Sequence, residues 1–169
     1  MGDMTKVLSG SVRRNWIDYN GHMGDFAYGI IFSDAATSFM DMIGVDETYR
    51  KGTGCTIYTL EVRIAYLKAC HLDQKFHVLQ QLIDLDGKRF HSYLRMVDDK
   101  TGQDLAVCEQ LLMHMQQSPG QPSKSKPFPL AVKEKLSWFR RQEQNLPIPE
   151  WIGGHIGIHR GPIVSSRPS

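Results

Sequence analysis

Three side chains able to act on a carbonyl group lie within five positions near the start of the chain. Asp18, Asn20 and His22 supply a carboxylate, an amide and an imidazole, and a helical pattern begins directly after them. An aspartate at such a position could attack a carbonyl carbon or activate a water molecule. Unpaired backbone N–H groups in the first turn of the helix could stabilise the resulting oxyanion. The donors expected in this role are the backbone N–H groups of Gly24, Asp25 and Phe26.

The same residue types also have a purely structural explanation. Asp, Asn and Gly are frequent in turns and before helices, where their side chains accept hydrogen bonds from backbone N–H groups. The segment from Asp18 to Gly24 could therefore be an ordinary turn that leads into the helix. The residues alone leave both interpretations open.

A long helix is predicted between Gly24 and Gly44. Apolar residues recur there in adjacent pairs every four positions, which is typical of a helix buried over a wide face. Asp25 suits the first turn, where a carboxylate meets the positive end of the helix dipole. Gly44 suits the position just after the last turn. At 1.5 Å per residue the helix would be roughly 28 Å long.

Strands are predicted on both sides of this helix, because the apolar period changes from four to two. In the strand after the helix, Tyr58 to Tyr66, every second residue is apolar, and these residues are expected to form one buried face. Short links such as Asp86-Gly87 predict antiparallel hairpins. The expected strands are Gly10–Ile17 before the helix and Ile57–Leu67, Phe76–Leu85, Phe90–Val97 and Leu105–Met115 after it.

The predicted fold class is α+β, with a long central helix wrapped by a curled antiparallel sheet of about five strands. Residues 1–118 are expected to form this domain, and residues 119–169 to contain a linker, a short C-terminal helix and an irregular tail. One such sheet leaves its outer face and its edges uncovered. A homodimer or a tetramer of dimers is therefore expected.

Composition excludes several classes of protein. With 20 Lys+Arg against 18 Asp+Glu, the net charge of +2 argues against a protein that binds nucleic acid by neutralising phosphates. The sequence has no stretch of about 20 apolar residues, so a membrane protein is not expected. Cys55, Cys70 and Cys108 fit neither a disulfide framework nor a zinc site. No metal or cofactor is expected, and the predicted location is the cytoplasm.

The run from Asp18 to Met23, with Tyr28 downstream, resembles the hallmark of hotdog-fold thioesterases of the 4-hydroxybenzoyl-CoA thioesterase type. The segment from Val62 to Asp73 resembles the next element of that family, a strand that ends in Tyr before an acidic residue opens the next strand. The resemblance covers roughly Lys6 to Pro129. It implies a hotdog fold and hydrolysis of an acyl-CoA thioester at a site shared between subunits.

The resemblance also implies roles for individual residues. Asp18 would act as nucleophile or general base, while Asn20 and His22 would position the water molecule or the thioester. Glu61 could be a second acid that reaches the site from the facing subunit, or it could simply pair with Arg63 or another neighbour on the surface. The CoA phosphates would need scattered basic side chains rather than a strongly basic protein. The candidates are Lys68, Lys88, Arg89, Lys124 and Lys126.

A narrower resemblance is to the betainyl-CoA thioesterases of carnitine breakdown, whose acyl group ends in a trimethylammonium cation. Aromatic faces attract such a cation when it is desolvated. The aromatic residues near Asp18 could form these walls, or they could pack in the core or a subunit interface. These residues are Trp16, Tyr19, Phe26 and Tyr28.

Two other functions are compatible with such a pocket. A hotdog enoyl-CoA hydratase would need an Asp and a His five positions apart with Asn between them, whereas Asp18 and His22 are four apart. A non-catalytic acyl-CoA-binding protein would use the same pocket without hydrolysis.

Overall fold

The structure is a computed structural model that describes residues 3–158. Its elements are strand β1 (Thr5–Ser11), a short 3-10 helix (Arg14–Trp16), helices α1 (Asp25–Met42) and α2 (Glu47–Thr53), strands β2 (Cys55–Tyr66), β3 (Lys75–Leu85), β4 (Arg89–Asp98), β5 (Asp104–Ser118) and β6 (Gln121–Ser125), and helix α3 (Leu130–Gln142). All strand pairs are antiparallel, in the order β1-β3-β4-β5-β2. The short strand β6 pairs with the end of β5. The predicted α+β fold, a helix wrapped by one antiparallel sheet, is confirmed.

Helix α1 lies against the concave face of this sheet and supplies the centre of the main core. Gly24 precedes its first turn, and Gly44, with φ of 90°, occupies the left-handed position after its end, as expected. The opposite side of the helix remains exposed in the protomer, including Phe26 and Ile30. The buried face consists of Ala27, Tyr28, Ile31, Phe32, Ala35, Ala36, Phe39 and Met40.

The predicted strand at Gly10–Ile17 is wrong in its position. Strand β1 ends at Ser11, and the chain then turns through the 3-10 helix, in which the Trp16 N–H donates to the Arg13 carbonyl. Strand β1 lies at a sheet edge and buries only Val7, so its alternating pattern is weak. Trp16 is apolar because it packs in the core beneath the turn, not because it belongs to the sheet.

The predicted single buried face of β2 is also wrong. The register between β2 and β5 shifts between Thr59 and Glu61, which marks a β-bulge at Leu60. A bulge places an extra residue in one strand, so side chains beyond it point to the opposite face from the one that simple alternation predicts. Strand β2 also forms an edge of the sheet, and Leu60 and Val62 remain almost half exposed.

The C-terminal segment packs in two places: α3 buries Val132 and Leu136 in the main core, whereas Trp151 joins a separate cluster on the convex face of the sheet. The segment expected as a linker contains β6, and the expected C-terminal helix is confirmed as α3. After α3, the buried Glu143 carboxylate accepts hydrogen bonds from the Leu82 N–H (2.6 Å) and the Thr5 hydroxyl (2.9 Å). The Arg63 guanidinium stacks 3.8 Å from the centre of the Trp151 ring. Residues 159–169 of the expected tail lie outside the described residues.

A buried histidine joins α2, β5 and the chain that follows β6. The Nδ1 atom of His114 lies 2.8 Å from the Lys126 carbonyl, which can only accept, so Nδ1 donates. Burial lowers the pKa of His114, which favours the neutral ring. In the neutral ring Nε2 carries no proton and accepts from the Tyr49 hydroxyl, 2.8 Å away.

The free energy of unfolding should therefore decrease as pH falls below the unfolded-state histidine pKa of about 6.5. The unfolded state binds the proton more readily than the folded state, so acid favours unfolding. His114→Gln should reduce this slope, which is at most about 1.4 kcal/mol per pH unit. Urea denaturation at pH 8 and pH 5.5 measures both slopes, and identical slopes for the two proteins would contradict the assignment.

Candidate active site

Asp18 closes a tight turn just before α1. One carboxylate oxygen of Asp18 accepts hydrogen bonds from the backbone N–H groups of Asn20 (2.8 Å) and His22 (3.3 Å). The Asp18 N–H donates in turn to the His22 carbonyl at 2.8 Å, and Ile17 forms a β-bridge with Met23. Within residues 3–158 the second carboxylate oxygen, Oδ2, accepts no hydrogen bond. The turn therefore fixes Asp18 and leaves one oxygen available for chemistry.

Within the described residues 3–158, the first turn of α1 presents one unpaired backbone donor. The Gly24 N–H donates to the Trp16 carbonyl at 2.8 Å, and the Phe26 N–H donates to the Asp25 carboxylate at 2.9 Å. The Asp25 N–H has no acceptor among the described residues. Because the positive end of the helix dipole is at the same place, the Asp25 N–H can stabilise an oxyanion.

A cavity of about 260 Å³ opens beside this turn. Its size is below the roughly 300–1,000 Å³ of pockets for drug-sized ligands, so it suits a small group. The rings of Tyr28 and Tyr66 meet in it edge to face, with their centres 4.9 Å apart. The lining residues are His22, Met23, Asp25, Tyr28, Tyr66, Leu67, Lys68 and Ala69.

Tyr28 fixes the position of the segment that follows β2. Its hydroxyl lies 3.3 Å from both the Lys68 carbonyl and the Cys70 Sγ. Burial raises the pKa of Tyr28 far above its ordinary value, so the hydroxyl stays protonated and can donate. The Met23 N–H donates to the Cys70 carbonyl at 2.9 Å, which ties the Asp18 turn to the same segment. Helix, turn and strand end are thus held around one cavity.

The structure brings only part of the predicted site together. His22, Asp25 and Tyr28 line the cavity, while Asp18 and Asn20 lie in the adjoining turn. The other predicted aromatic residues lie elsewhere. Trp16 is buried in the core with the Arg13 guanidinium 4.9 Å from its ring centre, Tyr19 is 96 % exposed, and Phe26 is 55 % exposed.

Glu61 lies away from this cavity within one protomer. It lines a second cavity, of about 220 Å³, on the convex face of the sheet. Beside it, the Glu109 carboxylate is fully engaged by Arg63 (2.7 Å), His91 (2.8 Å) and the Gly153 N–H (2.9 Å). Arg63 thus pairs with Glu109 and not with Glu61. In the described part of the chain, no three His, Cys, Asp or Glu side chains are grouped as a metal site would require.

Tyr66 lines the cavity, although the sequence patterns do not single it out as a site residue; the same is true of Met23, Leu67 and Ala69. Uninterrupted alternation would place it on the same face as Tyr58. The bulge at Leu60 instead turns Tyr66 towards α1, where it meets Tyr28. A bulge leaves no sign in hydrophobic periodicity, so the only available signal is the position of Tyr66 at the end of the strand.

Comparison with known proteins identifies the family of the chain. Residues 12–153 match the Thioesterase-like superfamily. The chain belongs to this family. The betainyl-CoA thioesterase of Pseudomonas aeruginosa is 33 % identical over 158 residues, which are 94 % of this chain and 98 % of that protein. The L-carnitine dehydrogenase/betainyl-CoA thioesterase of Rhizobium meliloti is 33 % identical over 92 % of this chain, and the chain spans only 30 % of that longer relative.

Solved structures share the fold. A Staphylococcus aureus protein solved in complex with CoA superposes with a TM-score of 0.84 at 27 % identity, covering 92 % of this chain and 97 % of that one. The predicted hotdog fold is confirmed by these likenesses together with the sheet order around α1. No helix within residues 3–158 is both long and apolar enough to cross a membrane.

Two substitutions separate the structural role of Asp18 from any chemical one. Asp18→Asn keeps the oxygen that accepts from Asn20 and His22, whereas Asp18→Ala removes it. We expect the free energy of unfolding to fall by about 1 kcal/mol in the Ala variant and by much less in the Asn variant. Chemical denaturation of the three proteins at one protein concentration measures this difference, and equal losses in both variants would contradict the observed turn.

Proposed function

We propose that the protein hydrolyses an acyl-CoA thioester to the free acid and CoA, with betainyl-CoA as its substrate. The observation that carries this proposal is the meeting of the Asp18 turn and the unpaired Asp25 N–H beside one small cavity. The relatives named betainyl-CoA thioesterase and the structural neighbour solved with CoA support it.

The chemistry begins with the thioester carbonyl in the cavity. Its oxygen accepts a hydrogen bond from the Asp25 N–H, which strengthens as negative charge develops on the oxygen. The Oδ2 atom of Asp18 removes a proton from a water molecule that attacks the carbonyl carbon. When the carbon–sulfur bond breaks, the sulfur receives that proton and CoA leaves as the thiol. Direct attack by Asp18, with water cleaving the resulting anhydride, uses the same arrangement.

Basic side chains near the cavity could bind the phosphate groups of CoA. Of the five candidate side chains for the phosphates, Lys68 lines the cavity, where its ammonium donates to the Gln103 side chain. Lys88 donates instead to Ser125 at 3.0 Å, and Arg89 pairs with Asp86 at 2.6 Å, both at the start of β4. Lys68 is therefore the residue we expect nearest to the pantetheine arm.

The working protein is proposed to be a homodimer, itself able to pair into a tetramer. Strand β2 is an unpaired edge whose Leu60 and Val62 are 46 % and 47 % exposed, and Phe26 and Ile30 of α1 are exposed as well. An exposed apolar edge strand is a template for pairing with another strand. A two-fold partner joined along β2 would cover these residues. The three buried free cysteines are compatible with a reducing compartment, which supports the proposed cytoplasmic location.

Release of free thiol from a panel of acyl-CoA esters tests the proposed reaction. Asp18→Asn should lower kcat by about 10²- to 10⁴-fold, the usual contribution of a general base. Asp84→Asn is the matched control, because Asp84 also accepts a hydrogen bond from a neighbouring backbone N–H (Leu85, 2.9 Å) and lies at the opposite end of β3 from the segment after β2. This control should retain full activity.

The other outcomes of this assay distinguish the alternatives. Unchanged release by folded Asp18→Asn would remove Asp18 from the mechanism. Binding of the esters without release by the wild-type protein would favour a non-catalytic acyl-CoA-binding protein. Addition of water to an enoyl-CoA with the thioester intact would favour a hydratase.

Leu60→Lys tests the proposed dimer. A lysine on the β2 edge should oppose strand pairing and shift the protein towards the monomer, with a loss of thioester hydrolysis. Leu130→Lys is the control, since Leu130 is 71 % exposed on α3 and away from this edge. Analytical ultracentrifugation measures both variants, and a dimer unaffected by Leu60→Lys would place the interface elsewhere.

A further inference from the structure

One corner of the active-site cavity combines two aromatic rings with a carboxylate. Tyr66 is 48 % exposed, and its ring meets the buried Tyr28 ring at an interplanar angle of 64°. Asp25 lines the same cavity, and burial together with the Asp25 carboxylate raises the pKa of Tyr66. The corner therefore presents two neutral rings beside a carboxylate.

The charge of Lys68 is directed away from this corner. The Lys68 side chain is exposed, and its ammonium donates to the Gln103 side chain on the turn before β5. One oxygen of the Asp25 carboxylate accepts from the Phe26 N–H, which leaves the other oxygen without a partner among residues 3–158. The corner is thus electronegative, although the protein as a whole carries a net charge of +2.

The length of a betainyl group requires its cation to bind next to the oxyanion donor. Two single bonds of about 1.5 Å place the nitrogen roughly 2.5 Å from the carbonyl carbon. If the carbonyl oxygen binds the Asp25 N–H, only groups in the same first turn and its immediate neighbours can reach the cation. The Tyr28–Tyr66 pair and the Asp25 side chain are those groups.

We infer that Tyr66, supported by Tyr28 and the Asp25 carboxylate, binds the trimethylammonium end of the acyl group and sets the specificity of the enzyme. This inference rests on the proposed thioesterase function. Quaternary ammonium groups bind aromatic faces with useful strength where water is excluded, and a nearby carboxylate adds direct attraction. Tyr66 thereby takes the role that Trp16, Tyr19 and Phe26 cannot take, because they lie outside the cavity.

A pair of substrates of the same shape tests this assignment. In 3,3-dimethylbutyryl-CoA a carbon atom replaces the nitrogen of betainyl-CoA, so the two esters differ essentially in charge. The readout is the ratio of kcat/KM for betainyl-CoA to kcat/KM for the neutral ester. We expect this ratio to fall about tenfold in Tyr66→Leu, which removes the aromatic face, and at least as far in Asp25→Asn, which removes the charge but keeps the backbone N–H.

Two further variants separate recognition from general damage to the fold. Tyr66→Phe keeps the ring and should keep the wild-type ratio. Tyr58→Leu makes the same change as Tyr66→Leu in the same strand but before the bulge, where the hydroxyl bonds to Ser123 at 2.9 Å, so it should also keep the ratio. An unchanged ratio in Tyr66→Leu and Asp25→Asn would overturn the inference.

Binding measurements keep this test independent of the proposed reaction. Calorimetry with the Asp18→Asn variant gives the ratio of Kd values for the two esters, and Tyr66→Leu in that background should reduce the preference for the cation about tenfold. Hydrolysis of both esters without preference, together with equal Kd values, would overturn the cation site alone. Absence of hydrolysis of any ester would overturn the proposed function, and the Kd ratio would still decide the cation site.

Discussion

The buried hydroxyl of Tyr28 lies where three parts of the active site meet. It bonds to the chain just after β2, and that same stretch accepts the backbone N–H of Met23 through the Cys70 carbonyl. The Tyr28 ring supports Tyr66 from the helix side. The Tyr28 side chain, whose pKa is raised by burial, and the Met23–Cys70 backbone bond therefore together fix the positions of the Asp18 turn, the end of β2 and the first turn of α1 relative to one another.

The electrostatics of the site follow from how few groups are left unpaired. One oxygen of Asp18 accepts hydrogen bonds within its own turn. At the start of α1, the N–H groups of Gly24 and Phe26 donate to the Trp16 carbonyl and the Asp25 carboxylate. Among residues 3–158, what remains unpaired is one carboxylate oxygen of Asp18, one of Asp25 and the Asp25 N–H, next to one aromatic corner. Preorganised groups of this kind need no rearrangement as charge develops, which is why a small number of them is sufficient.

Much of this architecture could be predicted from the sequence, because the spacing of apolar residues in a long helix or strand shows which of its faces is buried. Helix α1 and its stop at Gly44, strands β2 to β5 and helix α3 follow from apolar spacing and turn residues. Apolar spacing predicts the wrong position for β1, because an edge strand buries too little to alternate clearly. Helix α2 and strand β6 are short and have few buried side chains, so apolar spacing does not predict them.

The candidate site was predictable only in its local part. Asp18, Asn20, His22 and Asp25 are close in the chain and remain close in the fold. Tyr66 reaches the site through a sheet irregularity, and the engagement of the Gly24 N–H depends on the 3-10 turn that positions the Trp16 carbonyl. Glu61 is on the strand that supplies Tyr66, yet on its other face.

The bulge at Leu60 reverses the alternation of side chains in β2: odd-numbered residues face α1 before it, and even-numbered residues face α1 after it. If β2 kept Leu60 but paired with β5 without a bulge, the two faces of the strand's second half would exchange although the sequence is unchanged. Tyr66 would then leave the pocket, and Arg63, which now stacks on Trp151, would turn inward. A related chain without a residue at this position would pair regularly and still direct its tyrosine inward, so the bulge and the extra residue are expected to be present or absent together.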